Sequence, residues 1–133
     1  MCEGHCSDAH EAVRFIDTLN EKAGRKAFGL CLDTGHLHLL HKNFRTYIAT
    51  LGDRITALHI HDNDLLNDSH ALPFTMKMDF EAIVRALREI NYRGYFTMEA
   101  DQHMNGYTKE NAFEGVKKLA DTARKLADMF EGK

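Results

Sequence analysis

Three ionisable residues recur at matching places in this sequence. Asp33, His61 and Glu99 each close a short apolar run, at 27–33, 55–61 and 95–99, and each stands just before a turn. Such runs read as buried strands, and alternate residues of a strand face opposite ways. One face carries Phe28, Leu30, Leu32, Leu58, Ile60, Phe96 and Met98. The other carries Gly29, Cys31, Asp33, Ala57, His59, His61, Tyr95, Thr97 and Glu99, and it is smaller and more polar. Carboxylates and an imidazole that converge repel one another unless a divalent cation lies between them. Mixed oxygen and nitrogen donors suit Mn²⁺, Co²⁺, Zn²⁺ or Mg²⁺ rather than a thiophilic metal. Glu3 keeps the same rhythm, since the steps from 3 to 33, 33 to 61 and 61 to 99 each span about one βα unit. It reads as the end of a strand whose body lies outside this chain.

Each residue has a plainer role when taken alone. An Asp at a strand end caps the next helix, and His36, just after Gly35, caps the same turn. His59 reads as an interior residue, and His38 and His41 as solvated. The coincidence at three successive strand ends, all facing one way, is what assigns Asp33, His61 and Glu99 to chemistry.

The elements that must position them alternate. A helix is expected over 8–23, with Asp8 and Glu11 as a capping box and Gly24 as its stop. A second helix follows from about Asn43 to Leu51. Residues 62–78 form a polar loop with the only proline, Pro73. Asp79 caps an amphipathic helix whose face is Phe80, Ile83, Val84, Leu87 and Ile90. The last helix runs from about Thr108 to Phe130, with Phe113, Val116, Ala120, Ala123, Ala127 and Phe130 as its stripe. Helix and strand in alternation predict parallel βα units. An open doubly wound sheet would need apolar residues on both faces. A (β/α)8 barrel explains the split better, because its inner face turns polar near the catalytic mouth.

Composition sets the outer limits. The chain has 133 residues, enough for one domain, with 44% hydrophobic and 28% charged residues. That excludes a disordered tail. A net charge of -3 argues against a grip on nucleic acid or anionic membrane through bulk charge. No apolar run approaches the roughly 18 residues of a membrane span, and no secretory leader is legible. Three cysteines at irregular spacing, Cys2, Cys6 and Cys31, argue against a disulfide framework and for the cytoplasm. Cys2, Cys6, His5 and His10 lack the paired spacing of a structural zinc site.

Four motifs, in order, resemble the sugar phosphate isomerase/epimerase family of xylose isomerase-like TIM barrels, grouped with endonuclease IV. They are Leu30-Cys31-Leu32-Asp33-Thr34-Gly35-His36, Leu58-His59-Ile60-His61-Asp62-Asn63, His70-Ala71-Leu72-Pro73-Phe74 with Met78-Asp79-Phe80, and Tyr92-Arg93-Gly94 leading to Glu99. The resemblance covers almost the whole chain but only the C-terminal half of the family's barrel. It implies an α/β fold, with 1–133 as one partial barrel domain. It further implies a divalent metal held by Glu3, Asp33, His61 and Glu99. Glu3 and Glu99 would be the acid/base pair, and His36 would contact a small carbohydrate. In endonuclease IV-like members an Asp-x-His adds metal ligands, and Asp68-Ser69-His70 matches it. Two positions depart from the ketose epimerases: Pro73-Phe74-Thr75-Met76 replaces a glycine-rich loop, and Asn67 stands where they place an arginine.

The leading expectation is therefore a metal-dependent sugar or sugar phosphate isomerase or epimerase working through an enediolate. The alternatives are an inactive truncated half barrel and an endonuclease IV-like phosphodiesterase. The isolated chain is expected to be inactive. Its exposed sheet edges should favour aggregation, a homodimer, or pairing with a missing N-terminal half.

Overall fold

The computed structural model describes residues 7–133. Glu3, and with it His5, Cys2 and Cys6, lies outside the described residues. Helix α1 spans Ala9–Ala23. Its N-cap is Asp8, whose carboxylate accepts the Glu11 N–H at 2.9 Å. Gly24 ends it in the left-handed conformation, φ 65°, with its N–H on the carbonyls of Asn20 and Glu21. Strand β1 is Leu30–Asp33, followed without a break by the short helix α2, Thr34–Leu39. Helix α3 is Phe44–Leu51, capped by Asn43, and a 3-10 turn at Gly52–Arg54 leads into β2, Ile55–His59. Helix α4, Phe80–Glu89, is capped by Asp79 at the Ala82 N–H. A second 3-10 segment, Asp101–Gly106, precedes α5, Ala112–Glu131. Each side-chain N-cap of this kind contributes about 1 kcal/mol.

β1 and β2 pair in parallel, with Asp33 opposite His59. Among the described residues β1 has no other strand neighbour. The helices lie side by side, α1 on α3, α3 on α4 and α4 on α5. They cover one face of the strands only. Leu32, Leu58 and Ile60 are buried beneath them with Ile48, Leu51, Ile83, Leu87 and Leu126. Full burial of such a side chain is worth about 1.5–3 kcal/mol, so this layer is the main stabilising element. Cys31 and His59, on the opposite face, are exposed. The alternation read from sequence thus holds in β1 and β2.

Four expectations are corrected. Residues 95–99 form no full strand. Met98 makes one parallel bridge to Ile60, through Ile60 N to Thr97 O and Glu99 N to Ile60 O, both 2.9 Å. Tyr95 is 89% exposed, and among the described residues this segment makes no strand pairing other than the bridge to Ile60. Thr34-Gly35-His36, read as the stop of the first strand, instead opens the helix Thr34–Leu39. The stripe on α5 is also out of register at its start. Phe113 and Val116 face solvent, while Gly115 packs against Tyr107 and Met104. Lastly, the first strand begins at Leu30, because Asn20 takes the backbone of Ala27 and Phe28 with its side-chain amide.

Candidate metal centre

The centre is built where β1 ends. Asp33 is extended, φ -87° and ψ 111°, and caps α2 by accepting the His36 N–H at 2.9 Å. The plain capping role is therefore real, and the same carboxylate does more. Its Oδ1 lies 3.1 Å from His61 Nε2, and its Oδ2 lies 2.9 Å from His36 Nδ1. Burial pushes the Asp33 carboxyl up. The hydrogen bonds from the His61 ring and the His36 N–H, with the charges of both rings, outweigh that and hold it below the ordinary carboxylate range.

His61 follows β2 and is fully buried. It fits because residue 35 is glycine: a β-carbon there would overlap Cε1 and Nε2 of its ring. Its Nδ1 is buried and has no hydrogen-bond partner. Glu99 reaches the same place across the Ile60–Met98 bridge. One ligand atom each from Asp33, His61 and Glu99 falls within 4.8 Å of the others. Ligands at about 2.0–2.6 Å from one ion stand about 4–5 Å apart across its shell, so this spacing suits a divalent cation. The orphaned imidazole nitrogen and the oxygen-rich donor set fit that reading.

His59 is not a detached interior residue. Its Nδ1 lies 2.8 Å from Glu99 Oε2, although the ring N–H does not align as a hydrogen bond. It flanks the carboxylate without a hydrogen bond.

A second donor group, His36, His61, Asp68 and His70, overlaps the first at His61. His36 Nε2 lies 2.9 Å from Asp68 Oδ2, so this imidazole spans the carboxylates of Asp33 and Asp68. The His70 ring stacks on His61, with centroids 4.1 Å apart and planes 11° from parallel. Its Nδ1 meets the Glu99 carbonyl at 3.0 Å and Asp101 Oδ1 at 3.2 Å. Burial lowers the His70 pKa, but the Glu99 carbonyl and the carboxylates of Asp68, Glu99 and Asp101 prevail and raise it. Every ion-pair partner of Asp33, Asp68, Glu99 and Asp101 among the described residues is a histidine.

Sequence reasoning passed over three neighbours. Asp62 and Asn63 are fully buried behind His61. Asn63 donates to the Gly35 carbonyl at 2.9 Å and meets His38 Nδ1 at 2.7 Å. His38 is thus a half-buried partner stacked on Phe44, not a solvated residue. The signal for Asp62 and Asn63 was their place after His61 in the second motif, which gave them no role of their own. Asp101 carried no signal in its spacing.

The chain matches the Xylose isomerase-like TIM barrel family over residues 1–129. It is 42% identical over 87 residues to an uncharacterised protein, y4fM, of Sinorhizobium fredii, a stretch covering 65% of this chain and 28% of that one. It is 32% identical over 89 residues to a D-psicose 3-epimerase of Enterocloster bolteae, covering 67% of this chain and 27% of the relative. It is 37% identical over 54 residues to a fructoselysine 3-epimerase of Escherichia coli O157:H7, covering 41% and 20%. The matched stretches span less than a third of these relatives' lengths. No described helix is long and apolar enough to cross a membrane.

Proposed function

The chain belongs to the Xylose isomerase-like TIM barrel family, and on that premise we propose that it forms the C-terminal half of a (β/α)8 barrel that isomerises or epimerises sugars with a divalent metal. The observation that carries this is that Asp33, His61 and Glu99 each bring one ligand atom within 4.8 Å of the others. Two relatives named as sugar epimerases support it.

In this reading Asp33, His61, Glu99 and Glu3 hold Mn²⁺, Co²⁺, Zn²⁺ or Mg²⁺. When bound, the cation supplies positive charge against the negative charge that develops next to the substrate carbonyl. One glutamate, Glu99 or Glu3, takes the proton from the carbon next to the carbonyl. The other returns a proton on the opposite face. His59 flanks the Glu99 carboxylate, and His36 hydrogen-bonds a substrate hydroxyl. The rest of a longer cytoplasmic chain, or a second copy, closes the open edge of β1. An isolated half leaves the mouth open to water and is inactive.

The test is deuterium exchange. The longer protein containing this chain, loaded with Mn²⁺ or Co²⁺, should incorporate solvent deuterium next to the carbonyl of a ketose. Calorimetry should show the metal binding. No exchange with any ketose or ketose phosphate, in metal-loaded protein, overturns the reading. The second donor group favours one other reading, an endonuclease IV-like phosphodiesterase; cleavage of abasic DNA in place of deuterium exchange would select it.

A further inference from the structure

We propose that Asp62 is a positioning residue that holds Asp68 and His70 against His61. This rests on the reading of His61 as part of a metal and substrate site. Asp62 is fully buried, yet no Lys, Arg or His among the described residues pairs with it. A lone buried carboxylate is costly unless hydrogen bonds satisfy it. Here four backbone N–H groups do so. Oδ1 accepts from Asn63 at 2.9 Å and Met78 at 3.0 Å, and Oδ2 accepts from Thr75 at 3.1 Å and Met76 at 2.8 Å. The main chain of Asp62 also pairs with Ala71 in both directions, at 2.8 and 3.0 Å.

The geometry makes one residue the anchor for both ends of a loop. The carboxylate gathers 75–78 and the backbone gathers 71, so the chain between them must return past His61. His70 precedes Ala71, and its ring lies flat on His61. Asp68 precedes it by two and bridges to His36. Asp64, in the same loop, is a natural comparison. Its carboxylate also accepts backbone N–H groups, from Leu66 and Asn67, but it is solvated and ties only residues 64–67.

The experiment compares Asp62→Asn and Asp64→Asn in the metal-free chain and with Co²⁺ alone as probe. Asparagine keeps the shape of Asp62 but turns an N–H₂ toward two of the four donors. The first readout is the NMR shift of the His70 ring C–H groups, which the stacked His61 ring displaces. Asp62→Asn should move them toward solvent-exposed values, with urea unfolding still cooperative. Co²⁺ affinity should fall about 10- to 100-fold, with an altered visible spectrum. Asp64→Asn should change neither. Unchanged His70 resonances in folded Asp62→Asn overturn the proposal. If Asp62→Asn does not fold, Met76→Pro removes the shortest of the four donors, leaves the carboxylate in place, and is read the same way. If the unsubstituted chain binds no Co²⁺, the metal reading fails, while the His70 resonances still decide the role of Asp62.

Discussion

Gly35 abuts the imidazole of His61, with no room for a β-carbon between them. The helix that begins at Thr34 can approach β2 only because of that contact. Gly35→Ala should therefore push the His61 ring away from Asp33. Overpacking of this kind costs about 1–3 kcal/mol. Urea denaturation should show that loss, and Co²⁺ calorimetry a weaker site. A variant with unchanged stability and affinity would show that the ring moves aside freely.

Asp33 caps α2 and, in the proposed function, also holds the metal; one substitution separates the two roles. Asn caps a helix about as well as Asp, so Asp33→Asn should leave α2 in place. Metal affinity should still fall, and by more than in His59→Asn, because His59 only flanks Glu99. Equal losses in the two variants would mean that the wrong histidine, or the wrong face of the strands, has been assigned to the metal.

His36 touches the carboxylates of Asp33 and Asp68 and is half-exposed. In the longer protein proposed above, His36→Ala should lower kcat/KM for the proposed sugar substrate roughly 100-fold, within the range of one positioned acid/base or hydrogen-bonding group. Its metal affinity should fall less than that of Asp33→Asn. Turnover and KM both unchanged would reduce His36 to the cap it makes at the turn.

Asp64 gives a pH signature. Its pKa is lowered to about 2, first by the Asn67 N–H and then by the Leu66 N–H and the Asn67 amide. A depressed carboxyl stabilises the fold above its unfolded value of about 3.9, and that contribution fades as pH falls through about 2. Asp64→Asn should thus be less stable than the parent at pH 7. The difference should shrink between about pH 4 and 2, and a gap that stays constant over that window would count against the cap.

The parts of the fold legible in sequence were those written locally. Asp8 and Asp79 cap the helices their spacing announced, and the alternation in β1 and β2 separates buried Leu32, Leu58 and Ile60 from exposed Cys31 and His59. The segment at 95–99 was not legible as a bridge, because a strand is completed by its neighbours and not by its own residues. The six-residue α2 is too short to show a period. On α5 the apolar pattern misled, since Gly115 makes the close contact and Phe113 does not. At the centre, Asp33, His61 and Glu99 stood out because strand ends are periodic. Asp62 did not, because three of the N–H groups it binds lie 13 to 16 residues away.

Leu65, His70 and Phe74 hold φ at 73°, 40° and 71°, and none is glycine. Each such residue costs about 1–2 kcal/mol relative to the right-handed region. All three lie in the loop between His61 and α4. Random mutagenesis with selection for heat resistance alone should therefore enrich glycine at 65 and 74 early. At 70 the same gain is available, but it removes a ring that lies against His61. A second selection, for activity of the longer protein, should leave positions 65 and 74 free to drift and restore histidine at 70.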